Sequence, residues 1–304
     1  MRNLRLFLLL CTASIVGLPA FAGAPSATVR FVVVDKSHEF NQTGPSTVTE
    51  DPNRPFRFHV EIDGENQSGS FPTGPNQITS TPALSGVTGP LSLVAPDSNN
   101  DHWRYNSPSY SSASTLNADY GGGIYTLLIG GQTISLNLPV GNAGNGFLFP
   151  NTPLITATGA TWLPNGTLAY DPSSGPLTLA SNLFSTNAGA TVHLGINLDS
   201  TSGQPFFNDF SAEAFGSGPS SISQTYNNPG EFISGSTYEV SLEFNNIVDG
   251  PFPLSGQLSG GQAVAVYTAR TTLHLQIIPE PSAYAALAGV SVLVLAAWRR
   301  RSRK

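Results

Sequence analysis

Cysteine is almost absent from the sequence, because Cys11 is the only one among 304 residues. It falls inside an apolar stretch that we expect to be removed with a signal peptide. Residues 25–277, the predicted mature body, then contain no cysteine and can form neither a disulfide bond nor a thiolate metal site. A cysteine nucleophile is excluded for the same reason, and the core alone must hold the fold.

Charged residues are also scarce, at 11% of the sequence, and they are unevenly distributed. The whole chain has a formal net charge of −6, but seven of its 13 basic residues lie in the two termini. The body keeps six basic and 18 acidic residues, which is a net charge of −12. This balance argues against nucleic acid as a partner and is compatible with calcium binding or with solubility outside the cell.

The sequence lacks the motifs of the common enzyme classes. It contains no Gly-x-Ser-x-Gly elbow, no His-Glu-x-x-His zinc motif and no glycine-rich phosphate loop followed by lysine. His59, His193 and His274 lie within strand patterns, where a structural role is expected. The acidic residues are scattered, and no pair is marked by its neighbours as the acid and base of a glycosidase. We therefore predict no catalytic residue and no enzyme.

Residues 1–24 have the composition of a secretory signal peptide. Two arginines in the first five residues precede an apolar region, residues 6–18, that is too short for a lasting anchor. Ala20 and Ala22 then form an A-x-A cleavage site. The sequence thus predicts export through the secretory pathway.

The C-terminal residues 278–304 combine three features in a fixed order. The triplet Pro279, Glu280 and Pro281 is expected to be extended, because proline excludes helix there. Residues 282–298 carry no charge and would form a transmembrane helix about 26 Å long, slightly short of a hydrocarbon core of about 30 Å. The residues suited to holding the cytoplasmic end are Trp298, Arg299, Arg300, Arg301, Arg303 and Lys304.

This arrangement resembles the PEP-CTERM sorting signal of Gram-negative, biofilm-forming bacteria, over the last 27 residues of the chain. The resemblance implies recognition by an exosortase-type membrane enzyme while the tail holds the precursor transiently in the inner membrane. Processing near residues 279–281 would release the body to the cell surface or into extracellular polysaccharide. An ordinary C-terminal membrane anchor is the alternative.

The body alternates apolar and polar residues in short runs, as half-buried β-strands do. The clearest runs are residues 28–34, 56–62, 123–129, 132–138, 191–198, 237–244, 263–267 and 271–277. Gly130 and Gly131 join two of these runs as a predicted hairpin. Many short strands separated by turns predict an all-β, antiparallel sandwich or barrel.

We predict two tandem antiparallel β-sandwich domains, residues 25–140 and 153–277, joined by a linker at 141–152 that is rich in glycine and asparagine. Phe232 stands six positions before Tyr238 in a strand pattern, which resembles the fibronectin type III fold. That resemblance implies immunoglobulin- or fibronectin-like sandwiches in which the tyrosine hydroxyl closes a corner between strands. A jelly roll is the alternative.

One acidic loop is the candidate ligand site. Asp97, Asn99 and Asp101 place oxygen atoms at alternate positions, as the start of a calcium loop does. His102 replaces the glycine of that pattern, however, and Pro108 stands in place of the bidentate glutamate. An Asx-rich turn is therefore the competing interpretation.

The aromatic residues after this loop add a second possibility. Trp103 and Tyr105 could stack on sugar rings, or they could be buried against the sandwich.

The sequence as a whole predicts an exported, non-enzymatic protein of the cell surface or of an extracellular polysaccharide matrix, without a cofactor. A carbohydrate- or calcium-binding adhesion module is the first alternative. A secreted hydrolase is a further alternative.

Overall fold

The computed structural model describes residues 29–64, 77–81, 91–92, 102–129, 132–140, 148–186, 190–198, 207–212, 218–227, 232–254, 261–278, 291–293 and 298. The strands of the first half are β1 (Val29–Gln42), β2 (Val48–Glu50), β3 (Phe56–Gly64), β4 (Gln77–Thr81), β5 (Leu91–Ser92), β6 (His102–Asn106), β7 (Gly123–Ile129) and β8 (Gln132–Leu138). Those of the second half are β9 (Ile155–Thr158), β10 (Ala160–Trp162), β11 (Leu168–Tyr170), β12 (Leu177–Ser181), β13 (Phe184–Thr186), β14 (Ala190–Leu198), β15 (Phe207–Ala212), β16 (Gly218–Ser220), β17 (Ser223–Tyr226), β18 (Thr237–Pro253) and β19 (Gln262–Ile277). Helix α1 (Ala113–Asp119) and a 3-10 turn (Pro172–Ser174) lie between strands.

A ten-stranded sheet, the central sheet, organises the molecule. Its main strand order is β15-β14-β18-β19-β1-β3-β6, with β2 beside β1 and the β10–β11 pair beside β19. Smaller sheets have the orders β5-β4-β7-β8, β17-β12-β9 and β13-β16. The prediction of an all-β body is confirmed.

The prediction of purely antiparallel sheets is wrong, because β1 and β19 pair in parallel from Phe31 with Gln262 to Asn41 with Thr272. Strand β11 also pairs in parallel with β19. Parallel neighbours need a long connection, and here most of the chain lies between the two paired strands. Alternation in the sequence gives the period of a strand but not the direction of its partner.

Strand β19 is one continuous strand of 16 residues, although the sequence suggested two runs at 263–267 and 271–277. The intervening residues keep the alternation, since Ala269 is fully buried and Arg270 is half-buried. Strand β18 is similarly long, at 17 residues.

Two hydrophobic clusters pack against one face of the central sheet. The first joins residues of β1, β3, α1, β7 and β8 to the start of β19, where Ala263, Ala265 and Tyr267 are buried. The second joins β9, β11, β12 and β18 to the end of β19, where Leu273 and Leu275 are buried. The odd-numbered residues of β19 therefore face both clusters, and its even-numbered residues lie on the opposite face.

The predicted division into two immunoglobulin-like units stays a prediction. Residues 141–147 of the predicted linker lie outside the described residues. Gln42, on β1, reaches the far side of that segment: its Nε2 donates to the Ile155 carbonyl at 2.8 Å, and the Ile155 N–H donates to its Oε1 at 2.9 Å. The Tyr267 hydroxyl donates to the Pro139 carbonyl at 2.6 Å. The residues on both sides of segment 141–147 are therefore hydrogen-bonded to strands of the central sheet.

The corner predicted at Tyr238 is present as a hydrogen bond. The backbone N–H of Ile233 donates to the Tyr238 hydroxyl oxygen at 2.9 Å, and the tyrosine is fully buried in the second cluster. The strands around this corner belong to the mixed central sheet.

The predicted signal peptide lies outside the described residues, as does most of the C-terminal tail. Residues 291–293 and Trp298 are helical and exposed. Among the residues that the structure describes, no helix has both the length and the apolar character needed to cross a membrane.

Candidate functional site

The face of the central sheet opposite the two clusters contains a cavity of about 610 Å³, which we call the sheet groove. Strands β1, β3, β6, β18 and β19 supply most of its lining. Its charged and titratable lining residues are Asp35, Glu39, Arg54, Arg57, His59, Glu61, Arg104, Glu243 and Arg270. This volume lies within the range of small-molecule sites.

Strand register brings these side chains together. Asp35 is paired with His59 across the β1–β3 ladder, and Glu39 is paired with Arg270 across the β1–β19 ladder. Because successive side chains of a strand point to opposite faces, every second residue of each strand lines the groove. Residues far apart in sequence thus form one polar surface.

Glu61 is the centre of an ion-pair network at one side of the groove. Arg104 donates to its Oε1 from Nε at 3.0 Å and from Nη2 at 2.7 Å, and His59 Nε2 lies 3.0 Å from its Oε2. Burial alone would raise the pKa of Glu61, but the two cationic neighbours outweigh it and lower the pKa to about 2. Glu61 is therefore a carboxylate at all ordinary pH values.

His59 lies between two acceptors. Its Nδ1 is 2.7 Å from the Asn106 Oδ1, and its Nε2 faces Glu61. Burial alone would lower the pKa of His59, but Glu61, Asp35 and Asn106 together raise it. This environment favours the imidazolium form, which donates from both ring nitrogens.

Asp35 is a buried carboxyl group, with 8% of its surface exposed. Burial raises its pKa to about 7, although His59 and the Thr268 hydroxyl act in the opposite direction. The Thr268 Oγ1 lies 2.7 Å from the Asp35 Oδ1 and 2.7 Å from the Asn245 Oδ1. A hydroxyl has one proton, so Thr268 donates to only one of these two oxygen atoms at a time.

Two arginines in the groove have unused hydrogen-bonding capacity. Arg57 Nη2 donates to the Glu39 Oε1 at 2.9 Å, and Arg270 contacts Glu239 and Glu243 at 3.4 Å each. Within the described part of the chain the buried Nε of Arg57 makes no hydrogen bond, and the buried Nε of Arg270 has the 3.4 Å ion-pair contact with the Glu243 Oε1 but no hydrogen bond. Buried donors without acceptors are uncommon in folded proteins.

Lys36 lies on the other face of the sheet, inside the first cluster, and is fully buried. Its Nζ donates to the Asn117 Oδ1 at 2.7 Å and lies 3.5 Å from the Gly121 carbonyl oxygen. Burial lowers its pKa to about 7. Lys36 is therefore separate from the groove, although it follows Asp35 directly in sequence.

Of the candidate ligand-binding residues from the sequence, the structure describes only the Tyr105 side chain. Asp97, Asn99 and Asp101 are outside the described residues, and the side chain of Trp103 is not described. Tyr105 packs against the first cluster, with its hydroxyl bonded to that of Tyr120, as the burial interpretation expects.

The sorting and cleavage residues lie largely outside the described part of the chain. They are Ala20, Ala22, Pro279, Glu280, Pro281, Arg299, Arg300, Arg301, Arg303 and Lys304. Within the described ranges, no group of three or more His, Asp or Glu side chains is arranged to hold a metal ion.

Sequence reasoning missed the groove. The available signal was the alternation of Arg57, His59 and Glu61 along one predicted strand. Three ionisable side chains on the polar positions of a single strand mark a charged sheet face, but the partner strands cannot be deduced from them.

Comparisons with known proteins give little further information. No family model matches the chain, and no curated protein matches it. One solved structure, described as "Ca2+-stabilized adhesin helps an Antarctic bacterium reach out and bind ice", is 13% identical with a TM-score of 0.21. The match covers 84% of this chain, which spans about half (50%) of the length of that one. A similarity at this TM-score carries no argument about function.

Proposed function

We propose that the chain is an exported, non-enzymatic protein of the cell surface or extracellular matrix that binds polysaccharide in the sheet groove. In this proposal a signal peptide directs export, and an exosortase-type enzyme processes the PEP-CTERM-like tail. The observation that carries the binding function is the groove, a concave surface on a broad sheet in which donors and acceptors are mixed.

The composition of the groove suits a sugar chain. One part presents the donors of Arg57 and Arg270 beside the acceptors of Glu39 and Asn245. Another part is apolar and includes Phe31, which is 42% exposed. Sugar rings have hydroxyl groups at their edges and C–H groups on their faces, so both parts have a matching surface.

The sorting part of the proposal is tested by fractionating cells of a host that carries an exosortase-type enzyme. We expect the full-length protein to yield a body without its tail in the matrix fraction, released when the matrix polysaccharide is digested. Pro279→Ala combined with Pro281→Ala should leave the protein in the membrane, whereas the control Pro164→Ala should not. Equal release of all three proteins would contradict sorting by the triplet.

Polysaccharide hydrolysis is the second candidate, and one observation favours it. Asp35 and Glu61 are diagonal neighbours on β1 and β3, since Asp35 pairs with His59 and Val33 pairs with Glu61. Such diagonal positions are about 7–8 Å apart, and the pKa values of about 7 and about 2 differ as those of an acid and a carboxylate partner do.

The hydrogen bonds of Glu61 count against that candidate, because Arg104 and His59 already occupy the carboxylate. The release of reducing ends from polysaccharide distinguishes the two functions. We expect no release by the full-length protein, and release that is lost in Asp35→Asn would establish the hydrolase.

A further inference from the structure

The sheet groove differs from the rest of the body in its charge. Four of the six basic residues of the body line it, together with four acidic residues. The remaining body has two basic residues and 14 acidic ones. Most of the charge of the body therefore repels a polyanion, whereas the positive and negative charges that line the groove are equal in number.

We infer that the ligand of the groove is an acidic polysaccharide, whose uronate carboxylate is bound by Arg57. This inference rests on the proposed function, because it specifies the class of polysaccharide that the same site binds. The three other lining arginines, Arg54, Arg104 and Arg270, supply further positive charge along the groove.

Arg57 has the position and the free donors that this role requires. Its side chain is 20% exposed, and its one hydrogen bond to a side chain within the described residues is the 2.9 Å bond to Glu39. A guanidinium group has five N–H donors in a fixed fork that matches a carboxylate. The bond to Glu39 uses one of these five donors, and although the Nε is buried, the partly exposed Nη end of the group can reach a ligand in the groove.

The carboxyl group of Asp35 repels an anion in the groove less than an ordinary aspartate would. Its burial raises its pKa to about 7, so it contributes no full negative charge below neutral pH. On the other side of Asp35, His59 has a raised pKa and adds positive charge. Glu39 and Glu243, the acidic residues on either side, each contact an arginine of the groove.

Titration calorimetry of the full-length protein in mild detergent tests the inference. The two probes are oligogalacturonate and a neutral galacto-oligosaccharide of the same length, each at low and at high salt. We expect oligogalacturonate to bind about tenfold or more tightly than the neutral probe at low salt, and to lose this advantage at high salt.

The variant Arg57→Gln should lose at least tenfold in affinity for oligogalacturonate and a clearly smaller factor for the neutral probe, so that the ratio of the two affinities falls. Because that change leaves Glu39 buried without its partner, the double variant Arg57→Gln/Glu39→Gln is measured beside it. The control Asn165→Asp changes the net charge by the same amount at an exposed turn, where Oδ1 accepts from the Thr167 N–H.

The outcomes separate this inference from the proposed function. Equal affinity for both probes, without salt dependence, would overturn the acidic ligand and leave a polysaccharide-binding groove. Binding of neither probe would overturn the proposed function itself. An equal loss in Asn165→Asp would assign the effect to net charge and overturn the role of Arg57.

Discussion

Asp35 and Lys36 are neighbours in sequence, but β1 directs them to opposite faces of the central sheet. Asp35 lies in the groove, and Lys36 lies in the first cluster. Burial raises the pKa of Asp35 to about 7 and lowers the pKa of Lys36 to about 7. Each group therefore makes the stability of the fold depend on pH, in opposite directions.

Asp35 should destabilise the fold as pH rises. The groups facing it are Glu39 on β1, His59 on β3, Glu243 on β18 and Thr268 on β19. Its pKa is raised in the folded state from 3.8 to about 7, so the folded chain binds its proton more tightly. The stability that this proton provides is complete below about pH 4 and is lost as pH rises to 7.

Asp35→Asn should therefore be more stable than the unmodified protein at pH 8, by on the order of 2–4 kcal/mol. Near pH 4 the two proteins should unfold at similar denaturant concentrations. Urea unfolding at the two pH values measures this difference. A destabilised variant at pH 8 would show that Asp35 is held as a carboxylate.

Lys36 should have the opposite effect at higher pH. Its pKa is lowered from 10.5 to about 7 in the folded state, so the unfolded chain binds the proton more tightly between these values. Stability should rise as pH increases from 7 towards 10. Lys36→Met should remove this rise, as measured by guanidinium unfolding across the range. A rise that persists in Lys36→Met would assign it to other groups.

At the scale of single elements, the sequence predicted strands well where alternation was strong. The hairpin of β7 and β8 has the bounds that were predicted, 123–129 and 132–138. Helix α1 was not predicted, because its seven residues are too few to show a helical period. The groove was not predicted, because it forms only when five strands pair in the correct register. Tertiary packing decides which strands pair, and the pattern of a single sequence does not show this.

The contact between Gln42 and Ile155 is an element-scale feature whose energetic contribution can be measured. The buried amide of Gln42 satisfies both backbone groups of Ile155, as a neighbouring strand would. Gln42→Met should cost about 2–4 kcal/mol of unfolding free energy, because two buried polar groups lose their partners. Urea unfolding checks this value, with Gln132→Met on the half-exposed β8 as control. Equal effects of the two changes would contradict a role for this contact.

The acidic loop at residues 97–101 is tested separately. We expect millimolar calcium to leave the melting temperature unchanged, because His102 and Pro108 depart from the calcium-loop pattern. A rise of several degrees that disappears in Asp97→Ala/Asp101→Ala would instead establish a calcium-binding module. Differential scanning calorimetry of the full-length protein provides this measurement.

At the scale of the whole molecule, the central sheet has two faces with different roles. One face packs against both hydrophobic clusters, and the other holds the groove. Strand β19 is long enough to contact both hydrophobic clusters. Residues that pack in the clusters therefore alternate along it with residues that line the groove. A rigid core thus fixes the positions of the charged side chains.

The central claim is that polysaccharide binds in the groove. Val264 lines the groove and is half-buried, so Val264→Trp should fill part of it without changing any charge. Ile124, which is 49% exposed on β7, gives the matched control Ile124→Trp. The measurement is the affinity of both variants for matrix polysaccharide, with thermal unfolding to show that they fold. We predict at least a tenfold loss in folded Val264→Trp and no change in Ile124→Trp; unchanged affinity in both would contradict binding in the groove.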